Sequence, residues 1–212
     1  MTADVLEPSF FQRDVLEVAR ELLGSTLVST IGGAEVRMRV VETEAYHERE
    51  RGAHCHGGRK TPRTEVMFRA GGISYIYFLY GMHWNFNVVT GPQGSGQAVL
   101  VRGAVPLADE ETLALIRTRR GWRPGGRQPP ARVLRDPSRW CDGPAKLCQA
   151  LALTGEYNAR PLTPEEGVWL EWGSQVDEAD VVRGPRIGID YAGDDAALPW
   201  RYLVRSDDTS TS

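Results

Sequence analysis

Polar and apolar positions alternate with two different periods along this chain. Asp14-Val15-Leu16-Glu17 has the form of a capping box ahead of Leu16, Val18, Ala19, Leu22 and Leu23. That spacing predicts a helix, and Gly24 behind it is a natural stop. A strand is expected over Thr26–Ser29, then a turn at Ile31-Gly32-Gly33. Val36, Met38 and Val40 alternate with Arg37 and Arg39, so the next strand should bury one face. Residues 47–63 have no period and read as a long loop, of the kind that often carries function. Residues 73–90 predict two aromatic strands turning at Gly81, and a further strand covers 98–101. Asp109–Arg120 starts with acids and ends with arginines, as the dipole of a helix favours. Residues 121–137 predict a mobile basic loop. Asp142 should cap a last helix that carries Pro144 in its first turn and ends before Gly155. The ends, 1–10 and 206–212, are expected to fray.

Mixed elements without an internal repeat or linker predict an α+β single domain over 1–212: a curved antiparallel sheet flanked by helices. The composition, 41% hydrophobic and 25% charged in 212 residues, excludes long disorder, collagen and coiled coil. No apolar run approaches the roughly 18 residues of a membrane helix, and the first eight residues carry Asp4 and Glu7. Three cysteines without CxxC spacing suit a reducing compartment. These features predict a cytoplasmic protein, nucleoid-associated if bacterial, and a monomer.

The net charge of −3 hides a strong asymmetry. Residues 71–101 carry no Asp, Glu, Lys or Arg. Residues 102–146 carry 10 basic and 5 acidic groups, and residues 147–212 carry 5 and 12. A basic middle against an acidic end can face a polyanion, or be an ordinary solvated surface. Only Lys60 and Lys146 are lysines, so a lysine nucleophile has few candidates.

Four constellations carry possible chemistry. Glu42, Glu44 and Tyr46 share one side of an extended segment. By parity that side is the one that buries Val36, Met38 and Val40. A carboxylate there must be paired or bound, which makes Glu42 or Glu44 a general-base candidate. Ordinary acids at a strand end fit the pattern equally. In the aromatic hairpin, Tyr75 and Tyr77 share a face and Tyr80 sits beside the turn. Such a residue can be a wedge between base steps, or the hairpin can simply be core. His54-Cys55-His56 suggests zinc weakly, because neighbours in extended chain point apart; a loop histidine bonding a ligand suits it better. Asp142-Gly143-Pro144-Ala145-Lys146 could present a helix start and a lysine to phosphate.

The motifs VETEAY at 41–46, AHCHGGRKTPR at 53–63, MF at 67–68, YIYFLYGMHWNFN at 75–87, VLVRG at 99–103 and CDGPAKLCQAL at 141–151 resemble, in order and spacing, the alkyladenine (3-methyladenine) DNA glycosylases. The resemblance runs from about residue 14 to 205. It implies a protruding β-hairpin that enters the DNA minor groove. It also implies an enzyme that flips alkylated or deaminated purines from duplex DNA and hydrolyses the N-glycosidic bond, without cofactor, metal or lyase step. Glu44 would activate water, with Arg102 and the Ile187 carbonyl helping to hold it. Tyr46, His54 and Tyr77 would enclose the base, and Asn87 would crowd a guanine 2-amino group. Tyr80 would fill the gap in the stack; Met82, Lys146 and Arg59 would contact DNA. A tyrosine cage would attract a cationic alkylpurine. The loop between Tyr46 and His54 is one residue shorter than in the mammalian members, and Asn85 is more polar than their residue. A non-catalytic binder of damaged DNA and a zinc hydrolase built on residues 54–56 are the alternative readings.

Overall fold

A computed structural model describes residues 4–107, 109–122, 125–126 and 128–205. The chain runs through α1 (Pro8–Phe11), α2 (Val15–Glu21), β1 (Thr26–Ser29), β2 (Val36–His47), β3 (Ser74–Leu79), β4 (His83–Val89), β5 (Gln97–Pro106), α3 (Glu110–Arg119), α4 (Ala131–Leu134), α5 (Pro144–Leu151), β6 (Val168–Glu171), β7 (Val181–Gly184) and β8 (Arg201–Val204). All strands pair antiparallel in one sheet, ordered β3-β4-β5-β2-β1-β6. β2 is long enough to take β1 along its first half and β8 along its second, and β7 extends from β8. The expected α+β class and curved antiparallel sheet are what the chain forms.

Local chemistry sets the helix ends. The Asp14 carboxylate accepts the Leu16 N–H at 2.8 Å, and Asp109 accepts the Thr112 N–H at 2.9 Å. Gly24 has φ +86°, and a Cβ there would meet the Ser174 carbonyl at 2.0 Å, so the chain needs glycine at this crossing. Three expectations fail. Asp142 does not cap α5: with Pro144 at the helix's first position the cap is Gly143, and Asp142 instead pairs with Lys146 at 2.5 Å. The 121–137 stretch is not all loop, since one helical turn, α4, forms behind Pro130; residues 123, 124 and 127 lie outside the described set. The expected fraying of 1–10 fails over 4–10, where the Leu6 N–H donates to the Leu170 carbonyl at 2.8 Å and Leu6 and Phe10 are buried; the ends 1–3 and 206–212 lie outside the described residues.

The decisive correction concerns β2. Val36, Met38 and Val40 enter the main core against α2 and α5, but so do Thr43 and Ala45 rather than Glu42 and Glu44: the Thr43 hydroxyl donates to the Ala19 carbonyl of α2 at 2.7 Å, and Ala45 packs in that core. The β2–β5 register shifts between Val40 and Thr43. The same shift appears on β5, where Val99, Val101 and Ala104 face the core. A bulge of this kind moves every later side chain to the other face. Glu42, Glu44 and Tyr46 therefore share the opposite face with Arg102. They are enclosed because a second, smaller apolar cluster, with Met67, Phe68 and Tyr75, builds over that face.

Candidate active site

That second face is the wall of a cavity of about 280 Å³. β2 contributes Tyr46, β3 Tyr75 and Tyr77, β4 Asn85 and Asn87, and β5 Leu100 and Arg102. Each pair is two residues apart, as strand geometry requires of one face. The 47–63 loop adds Gly52 and His54, the start of α5 adds Pro144 and Ala145, and residues 187–191 close the rim.

Glu44 stands behind this wall with no solvent exposure. The Ile187 N–H donates to its Oε1 at 2.8 Å, and the Tyr46 hydroxyl donates to its Oε2 at 2.7 Å. Arg102 Nη1 lies 3.4 Å from Oε1, while Arg102 Nε donates to Glu42 Oε1 at 3.0 Å. Glu42 also accepts from Arg201. Burial pushes the Glu44 carboxyl above its ordinary pKa; Arg102, the Ile187 amide and the Tyr46 hydroxyl oppose that rise. Burial and the neighbouring carboxylate drive the Tyr46 phenol upward, so it stays a donor. The result is a buried carboxylate beside the cavity whose ionised form is supported by three donors, an arrangement that can serve a general base.

The base-sized part of the cavity is aromatic. The His54 ring meets Tyr77 edge-on at 4.7 Å between centroids, and Tyr75 lies 5.4 Å from Tyr77. The Asn85 amide donates to the Tyr77 hydroxyl at 3.1 Å, and the Asn87 amide donates to the Tyr75 carbonyl at 2.9 Å. His54 is held neutral, its pKa lowered to about 4 by burial with help from Arg63.

At the hairpin tip Tyr80 has φ +51° and Gly81 φ +68°, the two positive values of a tight hairpin turn. Tyr80 is 82% exposed, so an aromatic occupies a backbone state costly for non-glycine residues without any packing to offset it. Met82 is exposed beside it, outside the cavity wall.

Sequence reasoning brought Glu44, Arg102, Ile187, Tyr46, His54, Tyr77, Asn87 and Tyr80 to one place, and the folded chain gathers them there. Ile187 meets Glu44 through its N–H. Lys146 lies in the first turn of α5 and lines a separate groove with Arg120 and Trp122. Arg59 is exposed on the 47–63 loop. His54, Cys55 and His56 diverge: His54 enters the cavity, the buried Cys55 thiol contacts the Gly96 carbonyl, and His56 is exposed. Among the described residues no three His, Cys, Asp or Glu side chains cluster to hold a metal.

The sequence reading missed a second layer. Arg186, fully buried, makes a bidentate pair with Glu50 at 2.7 Å for both contacts and donates to the Ala45 carbonyl at 2.9 Å. Its guanidinium stands 4.8 Å from the Tyr46 ring centre. It thereby ties the 47–63 loop and β2 to the residue that precedes Ile187. No local signal marks a pair 136 residues apart. Tyr191, 70% exposed at the rim, donates to the Gly52 carbonyl at 3.2 Å and was likewise unmarked.

The model of one protein family, methylpurine-DNA glycosylase, matches residues 9–208. A human protein named DNA-3-methyladenine glycosylase is 41% identical over 201 residues, covering 92% of this chain and 64% of its own length. Its mouse counterpart of the same name is 40% identical over 94% of this chain and 59% of its own. A Myxococcus xanthus protein provisionally named 3-methyladenine DNA glycosylase is 46% identical, over 94% of this chain and 90% of its own. With the match spanning nearly the whole chain, this protein belongs to the methylpurine-DNA glycosylase family.

Proposed function

We propose that this protein is a monofunctional DNA glycosylase that takes a damaged purine, flipped from duplex DNA, into the cavity beside Glu44 and hydrolyses its N-glycosidic bond. The observation that carries this reading is the buried Glu44 carboxylate, held by Ile187, Tyr46 and Arg102 against an aromatic cavity of base size.

Tyr80, on its strained exposed turn, fills the space the flipped nucleotide leaves. Aromatic stacking of about 1–3 kcal/mol per base offsets much of the cost of flipping, which is smallest for damaged pairs. Glu44 takes a proton from water as the water oxygen bonds to the sugar C1′ and the C1′–N bond to the base breaks. Arg102 favours the ionised form of Glu44. Neither Lys60 nor Lys146 lines the cavity, which suits water, not an amine, as the nucleophile. Lys146, Arg59 and Met82 serve DNA outside the pocket. The enzyme acts as a monomer wherever the cell keeps its DNA; no helix among the described residues is long and apolar enough to cross a membrane.

The test is release of 3-methyladenine from methylated duplex DNA by the protein and by Glu44→Gln. Release by the parent and its loss in the variant are expected. Equal release by both would remove Glu44 from the mechanism. DNA binding with no release of this lesion or of neutral purine lesions would make the protein a binder only.

A further inference from the structure

Of the large apolar side chains that line the cavity, Tyr80, Ile187 and Tyr191 are the exposed ones among the described residues. Tyr80 stands on the hairpin turn, and the Ile187 backbone serves Glu44. Tyr191 has neither duty, yet the fold fixes it at both ends. Ile189 and Ala192 beside it are buried, and the Ala192 N–H donates to the Ile189 carbonyl at 2.8 Å. At the far end of the ring the Tyr191 hydroxyl donates to the Gly52 carbonyl at 3.2 Å. That carbonyl belongs to a rigid peptide. The Gly52 N–H donates to Glu50 Oε2 at 2.6 Å, a Cβ on Gly52 would meet the same oxygen at 2.8 Å, and Glu50 is clamped by Arg186. The phenol is thus tied from the 187–191 segment to the 47–63 loop, while most of its ring stays open to solvent.

We propose that Tyr191 is a substrate-binding residue, an apolar ledge for the deoxyribose of the flipped nucleotide. The proposal rests on the glycosylase reading and adds a contact to it. His54, Tyr75 and Tyr77 take the base, so the sugar stays toward the mouth. Its C1′ has to stand beside Glu44, and therefore beside Ile187, whose N–H holds that carboxylate. Tyr191 lies four residues further along the same rim. The sugar is the least polar part of a DNA strand, and its C–H groups suit an uncharged ring. A phosphate would call for a free donor, and the Tyr191 hydroxyl already donates to Gly52. A ring held in advance also loses little freedom when the sugar arrives. This contact forms only with a nucleotide outside the stack, so it shifts the flipping equilibrium by its own free energy. It acts on the nucleotide and not on the gap left behind, which separates Tyr191 from Tyr80.

The experiment measures release of 3-methyladenine and of hypoxanthine at sub-saturating enzyme, where the rate counts every contact made between free enzyme and transition state. Tyr191→Ala removes ring and hydroxyl; Tyr191→Phe keeps the ring. Release by Tyr191→Ala is expected to fall about tenfold, the order of one aromatic contact. The factor should be the same for both bases and for duplex and single-stranded DNA, because all present the same sugar. Tm should not change, since the ring is 70% exposed. Tyr191→Phe should stay within about threefold of the parent, the weight of one neutral hydrogen bond. Unchanged release by Tyr191→Ala overturns the inference and leaves the glycosylase reading standing. A loss confined to duplex DNA would place the ring in the stack with Tyr80, and an equal loss in Tyr191→Phe would assign the effect to the Gly52 bond; either result also overturns it. Release of neither base by the parent protein ends the glycosylase reading itself, and this inference with it.

Discussion

The Ile187 N–H donates to Glu44 Oε1 at 2.8 Å, across 143 residues of sequence. This bond places a backbone dipole on a carboxylate whose pKa burial raises. With Arg102 and Tyr46 it favours the ionised form of Glu44, the form the proposed base needs. Glu44→Gln is expected to lower base release by about 10²–10⁴-fold, the usual contribution of a positioned general base, with lesion-DNA binding retained.

The raised Glu44 pKa has opposite consequences for rate and stability. The base must be ionised, so release falls as pH drops through the raised value. The folded state favours the protonated form. Its stabilising contribution is complete below the ordinary carboxylate pKa and is lost as pH rises through the raised one. At neutral pH the ionised side chain is therefore a cost to folding, and Glu44→Gln is expected to raise Tm while lowering base release by the same factor of about 10²–10⁴. A variant with lowered Tm at neutral pH would show that the three donors outweigh desolvation.

Tyr46→Phe separates support of the base from packing. It removes the hydroxyl that donates to Glu44 Oε2 at 2.7 Å and leaves the ring. A donor to the ionised form lowers a carboxyl pKa, so its loss should move the acid limb of the rate profile to higher pH. Release at the parent's optimum should fall about tenfold, one charge-assisted hydrogen bond's worth. An unshifted profile would detach Tyr46 from the titration of Glu44.

How far the sequence foretold this site depends on the range of the interactions. Alternation marked Tyr75 with Tyr77, and turn chemistry marked Tyr80 with Gly81, because those signals are local. Parity failed at Glu42 and Glu44, because the bulge between Val40 and Thr43 is specified by β5 across the ladder. Burial of those acids was foreseen, on the wrong face. The motif resemblance supplied Glu44, Arg102 and Ile187 together, which no spacing rule could. The Arg186–Glu50 pair and the Arg63 contact to His54 escaped because each depends on the folded path of the 47–63 loop.

Tyr80 is expected to respond with opposite signs in stability and activity. Its φ of +51° suits glycine, and no core contact holds an 82% exposed ring. Tyr80→Gly should leave folding stability unchanged or raise it by up to about 1 kcal/mol. Release from duplex lesions should fall by the lost stacking, about 1–3 kcal/mol, while release from single-stranded substrate changes little. Equal loss on both substrates would make Tyr80 part of the pocket and not of the stack.

The Arg186–Glu50 pair is where site and fold depend on each other. Both side chains are almost wholly inaccessible, at 0% and 3%. Removing one partner strands the other charge, at a cost of about 3–5 kcal/mol, whereas replacing both with apolar groups of similar volume is far milder. Glu50→Leu and Arg186→Met should each lower Tm strongly, and the double variant should recover part of that loss. Recovery of fold does not imply recovery of turnover. The guanidinium also grips the Ala45 carbonyl and the Tyr46 ring, and without it the Ile187 amide loses its anchor beside Glu44. The double variant should thus refold stably yet release base at least about tenfold more slowly, the order of one misplaced contact in an active site. Full activity in a stable double variant would limit the pair to a structural role.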